Sequence, residues 1–313
     1  MKAAESKELY QGVFIAAPTP MKDDYSLDLP RLGELIVRFR ESGLGNGNAA
    51  CTILGAGGEA VQLTDDERMQ VAATAVEAAE GEIPIYIGVA HTQTCQAVAL
   101  AEHADRVGAA GLQVEPPYYF QNTADDAFAF IEAISQAVEC GLAIYNTPWT
   151  SGYDMDAGFI ERLCPLENVI GLKWHAGHPT AWARVIRQYK ERFSIVSNYG
   201  ALLAPAAFIL GARGYVSQDV NAVPRAHVRI VSHLQNGEYA EALELLDLVQ
   251  EGYYREVLSE ASGMGYGGEP NFIKAAMDAV GFPCGPARLP TRPMPEEIRK
   301  RFDEWIGRVK DIG

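Results

Sequence analysis

The sequence predicts a (β/α)8 barrel over residues 1–235, followed by a C-terminal helical region over residues 236–313. Short apolar runs alternate eight times with longer amphipathic stretches, a pattern typical of parallel strands joined by right-handed helical crossovers. The chain has 313 residues and such a barrel takes about 250, so one barrel and an extension fit the length. No GxGxxG motif follows the first apolar run, so an open dinucleotide-binding sheet lacks its main signature.

The predicted strands are eight apolar runs that end at glycine, proline or polar residues. They cover residues 12–18, 50–54, 84–89, 111–114, 142–146, 169–173, 193–197 and 214–217. The predicted helices follow from apolar residues spaced three and four apart. They cover residues 29–42, 94–107, 124–139 and 179–191 within the barrel, and 239–258, 270–280 and 295–309 after it. Thr64 is expected to begin a further helix, because Glu67 completes a capping box.

Composition excludes several classes of protein. The net charge of −15 argues against a general surface for nucleic acid or anionic membrane, although one basic group can still dominate a pocket. No stretch approaches about 20 uninterrupted apolar residues, and the polar first ten residues lack a signal core. The five cysteines are widely spaced without a metal-binding pattern, which favours reduced core thiols. We therefore expect a cytoplasmic protein.

Lys173 closes the apolar run of residues 169–172, so its side chain is expected at the end of a buried strand. In a (β/α)8 barrel, active-site residues come from the carboxyl ends of strands and from the loops that follow them. Burial disfavours the ammonium and lowers the pKa of a lysine, and a neutral amine can attack a ketone to form an imine. The alternative is a lysine that reaches the barrel rim and pairs with an acid.

Two other strand ends carry candidate site residues. Tyr145 follows residues 142–144, and its phenol could move protons beside an imine. A core tyrosine bonded to a backbone carbonyl is the plainer alternative. After the second strand, Ala56, Gly57 and Gly58 stand in a glycine-rich loop whose backbone amides could bind carboxylate or phosphate oxygens, unless it is only a tight turn.

Taken in order, these segments resemble the dihydrodipicolinate synthase and N-acetylneuraminate lyase superfamily of class I aldolases. The resemblance covers nearly the whole chain and depends on the ordered set of motifs, because no single motif is decisive. The motifs are residues 12–20, the glycine loop 55–59, Pro-Tyr-Tyr at 117–119, Tyr-Asn-Thr-Pro at 145–148, Ile-Gly-Leu-Lys at 170–173, and the segments 211–214, 271–274 and 285–290.

The resemblance implies a role for each matched residue. Lys173 would form the imine with the C2 carbonyl of a 2-oxo acid, and Tyr145 would move protons at that imine and at the substrate hydroxyl. The backbone amides of Ala56 and Gly57, next to Gly58, would hold the substrate carboxylate. The protonated imine is itself the electron sink, so neither a metal nor another cofactor is required.

The resemblance also implies a homo-oligomer. Members of the superfamily usually form tetramers built as dimers of dimers. Tyr119, the last residue of the Pro-Tyr-Tyr motif, would lie near the active site and reach towards the pocket of a neighbouring subunit. Tyr119 is therefore counted with Lys173 and Tyr145 among the candidate catalytic residues.

The chain departs from the superfamily pattern at the positions that select the substrate. Ala56 and Gly57 replace two hydroxyl residues of the glycine loop, and Thr150 replaces an arginine that serves the second carboxylate in the synthase. Losing one hydrogen bond to a charged group costs roughly 1.5–3 kcal/mol, so another group or water must compensate. Beyond the glycine loop, the candidate substrate contacts are Trp149, Thr150, His175 and Ser217.

Three functions remain open from the sequence. The leading hypothesis is a lyase that cleaves or forms a carbon–carbon bond, with a pyruvate-type 2-oxo acid and an aldehyde as its partners. A second is a dehydratase acting on a 2-oxo-3-deoxy sugar acid through the same imine, which the altered loop keeps open. A third is a barrel that binds a 2-oxo acid as a sensor without catalysis, although Lys173 and Tyr145 together argue against it.

Overall fold

The computed structural model describes residues 1–250 and 268–312, and eight parallel strands close a barrel in chain order. The strands are β1 (Gly12–Ala16), β2 (Ala49–Ile53), β3 (Ile85–Gly88), β4 (Gly111–Val114), β5 (Gly141–Tyr145), β6 (Val169–Trp174), β7 (Ser194–Ser197) and β8 (Gly214–Ser217). Each strand pairs with the next, and β8 pairs with β1. The predicted (β/α)8 barrel is confirmed, and each predicted strand lies within two residues of its observed bounds.

Helices surround the barrel and continue after its last strand. They are α1 (Ala3–Leu9), α2 (Leu29–Glu41), α3 (Asp65–Ala79), α4 (Thr94–Arg106), α5 (Ala124–Ala137), α6 (Pro148–Ser151), α7 (Ala157–Leu163), α8 (Pro179–Tyr189), α9 (Ala204–Leu210), α10 (Pro224–Asn236), α11 (Tyr239–Gln250), α12 (Glu269–Ala279) and α13 (Glu296–Val309). The helix predicted over residues 239–258 is observed as far as Gln250, and its last eight residues lie outside the described part of the chain.

Local chemistry explains where several of these helices begin. The Thr64 hydroxyl accepts the backbone N–H of Glu67, and the Glu67 carboxylate accepts the N–H of Thr64, so the predicted capping box is confirmed. Asp28 caps α2 in the same way by accepting from Arg31. Among the described residues no helix is long and apolar enough to cross a membrane. Cys51, Cys140 and Cys284 are buried thiols as expected, whereas Cys95 is exposed.

The short helix α1, which was not predicted from the sequence, closes the amino-terminal end of the barrel. Its last turn delivers Tyr10 into the barrel, where the ring lies 4.9 Å from that of Tyr86 and 5.8 Å from that of Phe14. The Tyr86 hydroxyl donates to the Ser6 carbonyl at 2.6 Å. With only Ser6 fully buried in the helix, α1 has no apolar stripe that sequence periodicity could detect.

Glycines on neighbouring strands make room for this closure. A Cβ atom added at Gly111 would lie 2.6 Å from both the Gly141 carbonyl oxygen and the Tyr86 ring, and one at Gly171 would lie 2.6 Å from the Tyr10 ring. Real Cβ atoms do not approach other atoms so closely, and a backbone carbonyl cannot easily move. The barrel bottom is therefore packed by aromatic rings against bare backbone, which leaves the opposite end for the site.

A buried ion pair joins the C-terminal helices to the glycine loop. The Lys274 ammonium on α12 donates to Glu59 Oε1 at 2.5 Å, and the Arg288 backbone N–H donates to Glu59 Oε2 at 2.6 Å. Glu59 has a left-handed backbone (φ 58°), so the loop turns sharply at this residue. Breaking a buried pair on one side costs several kcal/mol, so this contact fixes α12 beside the loop.

We predict that Gly111→Ala lowers the free energy of unfolding by about 1–3 kcal/mol, because the added methyl overpacks the closed end of the barrel. Gly307→Ala is the matched control: it lies in α13 with open space around it, and should stabilise by roughly 0.5–1 kcal/mol. Urea unfolding followed by circular dichroism measures both. Equal effects of the two changes would contradict the packing explanation.

Candidate active site

Lys173 lies inside the barrel near the carboxyl end of β6, with its side chain only 6% exposed. Its ammonium nitrogen Nζ donates to Gln113 Oε1 on β4 at 3.3 Å. The same atom lies 4.0 Å from the centroid of the Tyr145 ring and 4.6 Å from that of Phe14. Two aromatic faces and one neutral amide therefore surround the nitrogen, and no salt bridge within 4 Å involves it in the described part of the chain.

This environment shifts the balance between ammonium and amine. Burial lowers the pKa of Lys173 to about 8, while the carboxyl groups of Glu269 and Glu115 oppose the shift. Compared with an ordinary lysine, the neutral fraction near pH 7 rises roughly a hundredfold or more. The neutral form is the nucleophile, so Lys173 is equipped to attack a carbonyl carbon near neutral pH.

Tyr145 lies directly beside Lys173, because these two residues pair across β5 and β6. The Asn198 side-chain amide donates to the Tyr145 hydroxyl oxygen at 3.0 Å. Burial, reinforced by the charges of Glu269 and Glu115, raises the pKa of Tyr145 well above 10. The group is therefore a phenol whose proton is free to point at a ligand bound to Lys173.

Two carboxyl groups near the amine were missed by sequence reasoning. Burial raises the pKa of Glu115 and of Glu269, whereas the charge of Lys173 lowers both. The Thr147 hydroxyl donates to Glu115 at 3.3 Å. Glu115 carried the same signal as Lys173, an ionisable residue that follows an apolar strand, and could have been found. Glu269 starts α12, far along the chain, and only the fold brings it to the site.

The glycine loop borders a cavity of about 380 Å³ on this side of the barrel. Its lining includes Ala56, Glu115, Tyr119 and Thr150. Glu115 belongs both to this lining and to the charged surroundings of Lys173, so it connects the cavity with the amine. Lys173 and Tyr145 do not line this cavity themselves, and the larger clefts of about 460–470 Å³ elsewhere on the surface contain neither these two residues nor the glycine loop.

Within the loop, the three candidate residues have different surroundings. Ala56 is exposed to the cavity, whereas Gly57 and Gly58 are buried. The Gly58 amide donates to the Gly55 carbonyl at 3.1 Å, so it is already used inside the loop. A Cβ at Gly57 would lie 2.7 Å from Ile273 Cδ1. Helix α12 thus occupies the space that a larger side chain at position 57 would need.

Aromatic groups form a rim beside the amine. Trp149 is 57% exposed, and its ring meets those of Tyr145 and His175 edge-on at 6.2 and 4.9 Å. His175 stacks on Tyr199 at 4.9 Å, and its Nδ1 lies 3.2 Å from the Asn198 carbonyl oxygen. Since a carbonyl only accepts, Nδ1 carries the proton. Asn198 therefore holds both His175 and the Tyr145 hydroxyl.

Two further candidates, Tyr119 and Thr150, line the cavity beside the glycine loop. Tyr119 is 85% exposed at the cavity edge and has φ 87°, and its ring contacts Phe120. Thr150 lines the cavity, with its hydroxyl donating to the Thr147 carbonyl at 3.2 Å. These residues are placed where a ligand or a second subunit could meet them.

Ser217 does not join the other candidates. Its neighbour Val216 packs against the residues inside the barrel, whereas Ser217 alternates with it and lies buried on the outer face of β8. There its hydroxyl donates to Asp219 and accepts from the Gln250 amide at 3.1 Å. Ser217 was expected to contact the substrate because it ends β8, but that expectation did not consider which side of the barrel wall its side chain takes. These hydrogen bonds leave the Ser217 hydroxyl unavailable to the pocket.

We predict that the reactivity of Lys173 rises with pH and reaches half of its plateau at about pH 8, because only the neutral amine reacts. Reductive methylation with formaldehyde and cyanoborohydride, followed by peptide mass mapping, measures this profile. An added lysine peptide, with a pKa of about 10.4, is the internal standard. If the extent of Lys173 labelling changed with pH in the same way as that of the standard peptide, burial would not activate the amine.

Comparisons with known proteins identify the family of the chain. The model of the dihydrodipicolinate synthetase family matches residues 9–308. A 4-hydroxy-tetrahydrodipicolinate synthase from Azoarcus sp. (strain BH72) is 31% identical over 291 residues, covering 93% of this chain and 95% of the relative. The dihydrodipicolinate synthase structure from Aquifex aeolicus is 26% identical, superposes with a TM-score of 0.85 and covers 96% of this chain and 98% of its own. The chain therefore belongs to the dihydrodipicolinate synthetase family.

Proposed function

We propose that this protein is a Schiff-base lyase, a class I aldolase that acts on a pyruvate-type 2-oxo acid. One observation carries the proposal: an activated amine on β6 lies against a phenol on β5, inside the barrel of a family of synthases and lyases. A pyruvate complex of the family member from Acinetobacter baumannii, 25% identical with a TM-score of 0.85, supports the choice of substrate class.

The proposed reaction begins with attack of Lys173 Nζ on the C2 carbonyl carbon. One proton passes from the amine to the C2 oxygen and the Tyr145 hydroxyl donates a second, so the oxygen leaves as water and the nitrogen forms a double bond with C2 as a protonated imine. In the cleavage direction, the C3–C4 bond breaks, and its electron pair forms a C2=C3 double bond. The imine π electrons pass to nitrogen, the C4 hydroxyl gives its proton to the Tyr145 phenolate left by the previous step, and C4 becomes the carbonyl carbon of an aldehyde. No metal or nucleotide is needed for this balance.

The substrate carboxylate is assigned to the glycine loop. The amides of Ala56 and Gly57 donate no hydrogen bond to other residues in the described part of the chain. Successive unpaired amides in such a turn form a concave site for an anion. The missing side-chain hydroxyls leave these two amides as the main donors of the loop.

The aldehyde partner is proposed to carry apolar or aromatic bulk. Trp149, His175 and Tyr199 present ring faces and edges beside Tyr145, and Thr150 offers no positive charge to a second carboxylate. Aromatic groups favour offset or edge-on contacts with another ring. A dianionic partner is disfavoured further by Glu115 and Glu269, which make the pocket locally acidic when ionised.

A dehydratase is the second candidate, and one observation favours it. Both Glu115 and Glu269 have a raised pKa, so each can hold a proton that a departing hydroxyl group would need. An enamine formed by loss of a C3 proton from the imine, with the C3–C4 bond intact, can expel the C4 hydroxyl as water once that hydroxyl accepts a proton. The two candidates share every step up to the imine and differ in the bond that breaks.

A homo-oligomer is also proposed, on the strength of Tyr119 and Phe120. The Tyr119 ring lines the cavity and is 85% exposed, and the Phe120 ring that contacts it is 75% exposed, so a second subunit would cover both. A dihydrodipicolinate synthase variant that shares the fold is described as monomeric, so the oligomeric state of this protein is a matter for measurement.

We predict that borohydride reduction in the presence of pyruvate adds a stable adduct to Lys173, located by peptide mass mapping. Lys173→Ala should abolish the adduct, and Lys310→Ala, which removes an exposed lysine after α13, should leave it unchanged. Tyr145→Phe should slow adduct formation by about 10²–10⁴-fold, because the proton donor is lost. No adduct with pyruvate or several other 2-oxo acids would overturn the proposal.

We predict that proton NMR of the reaction mixture will show pyruvate and an aldehyde appearing together from an aldol substrate. An aryl-substituted aldehyde should compete better than an aliphatic one of equal charge, because the rim is aromatic. A dehydrated 2-oxo acid in place of an aldehyde would establish the dehydratase instead. Adduct formation without turnover across a broad panel would favour a sensor.

A further inference from the structure

Glu115 lies on the inner face of the barrel, at the mouth end of β4. It follows Gln113 by two residues, and residues two apart on a strand point to the same side. Gln113 receives the hydrogen bond of Lys173 Nζ, so that side is the barrel interior. The intervening Val114 packs in the outer hydrophobic core instead. Glu115 is thus the next inward side chain above the partner of the amine.

The strand register sets Glu115 at the height of the reacting groups. The last recorded pair between β4 and β5 is Val114 with Ile144, so the next position brings Glu115 level with Tyr145. Tyr145 in turn pairs with Lys173 on β6. Neighbouring strands lie about 4.8 Å apart, so these three side chains start from adjacent strands at one level.

The bonding of Glu115 differs from that of a structural carboxylate. Elsewhere in this chain the buried Glu59 carboxylate pairs with the Lys274 ammonium, which compensates its burial. Glu115 has no ion pair within 4 Å in the described part of the chain, and only the Thr147 hydroxyl donates to it, at 3.3 Å. Part of it faces the cavity instead. Acidic groups kept partly unpaired in a cavity are typical of functional sites.

In the glycine loop, Ala56 lines the cavity with only a methyl group and its neighbour Gly57 has no side chain, so neither can transfer a proton. Glu59 also lines the cavity, but its carboxylate is paired with the Lys274 ammonium. Tyr145 is engaged with Asn198 and is already assigned to the C2 oxygen. Glu269 is near the amine as well, but it hydrogen-bonds Gln218 and does not line the cavity. Glu115 is the carboxyl group that both faces the cavity and is close to the amine.

We propose that Glu115 is the catalytic acid–base group at C3 of the substrate carbon chain bound to Lys173, an assignment that rests on the proposed imine function. The Glu115 carboxylate takes a proton from C3, the C3–H electron pair forms the C2=C3 double bond, and the imine π electrons pass to nitrogen. In the reverse step the carboxylic acid returns its proton to C3. Atoms and charge balance without a further reactant.

Exchange of the pyruvate methyl protons in D2O isolates this step, because it requires the imine and proton transfer at C3 but no aldehyde. We expect Glu115→Gln to retain the borohydride adduct on Lys173. Its rate of methyl-proton exchange, measured by proton NMR, should fall by about 10²–10⁴-fold. Glu102→Gln, an exposed change on α4, is the matched control and should match the unaltered protein in both measurements.

A pH profile separates catalysis from a purely structural role. The exchange rate of the unaltered protein should fall as pH drops through the raised pKa of Glu115, because the protonated acid cannot accept the C3 proton. That acidic decline should vanish in Glu115→Gln. The titratable and charged groups that face Glu115 are Tyr145 on β5, Lys173 on β6, Glu269 on α12 and Arg68 on α3, so the profile is compared at saturating pyruvate, after the imine has formed.

The outcomes decide between two distinct failures. No adduct in the unaltered protein would reject the imine function itself and the role of Glu115 with it. A normal adduct with undiminished exchange in Glu115→Gln would reject Glu115 alone, as would loss of adduct and exchange in equal proportion. If Glu115→Gln does not fold, Glu115→Asp retracts the carboxyl by one methylene group and should lower exchange by about tenfold or more while keeping the adduct.

Discussion

The burial of one amine inside the barrel is the constraint on which the site depends. Lys173 gives up hydration and, within the described part of the chain, donates a single hydrogen bond, to the neutral side-chain amide of Gln113, while two aromatic faces flank its nitrogen. An ammonium in such surroundings is disfavoured, and this cost appears as a lowered pKa. The fold offsets the cost through its other contacts, and the neutral amine that results is the nucleophile the proposed reaction requires.

The closed barrel turns this constraint into geometry. Since β4, β5 and β6 are hydrogen-bonded neighbours, a shift of one strand would move Lys173 away from Tyr145 and from Gln113 at once. The bottom of the barrel resists such a shift, because the rings of Tyr10 and Tyr86 pack on glycine backbone. Rigid packing at one end therefore fixes the heights of the side chains at the other.

Much of the fold could be predicted from the sequence, because eight apolar runs separated by amphipathic helices allow few alternatives. Helix α1 could not, since it contributes one aromatic residue after its end and no apolar stripe. Ser217 illustrates a second limit. Its place at a strand end was evident, but the side to which it points depends on register, which a four-residue strand does not reveal.

Site residues could be predicted where a single strand shows them in its own sequence pattern. They could not be predicted where the fold brings together segments that are distant in the chain. Lys173 and Tyr145 each close an apolar run, so sequence periodicity singled them out. Glu269 reaches the amine from a helix nearly a hundred residues later, and Asn198 reaches Tyr145 from the end of β7. Such partners follow from the order of strands around the barrel and from the docking of α12, which the Glu59–Lys274 pair secures.

The charges near Lys173 bear on which ligands the pocket accepts. One amine stands among two carboxyl groups whose pKa is raised by burial and lowered again by the charge of Lys173. A 2-oxo acid brings one negative charge, and the protonated imine supplies one positive charge beside it. The substrate carboxylate and the protonated imine together have no net charge. The negative charge of a second carboxylate on the ligand would have no positive partner, in a pocket that already holds Glu115 and Glu269. The same electrostatics that permit imine formation therefore argue for a monoanionic substrate.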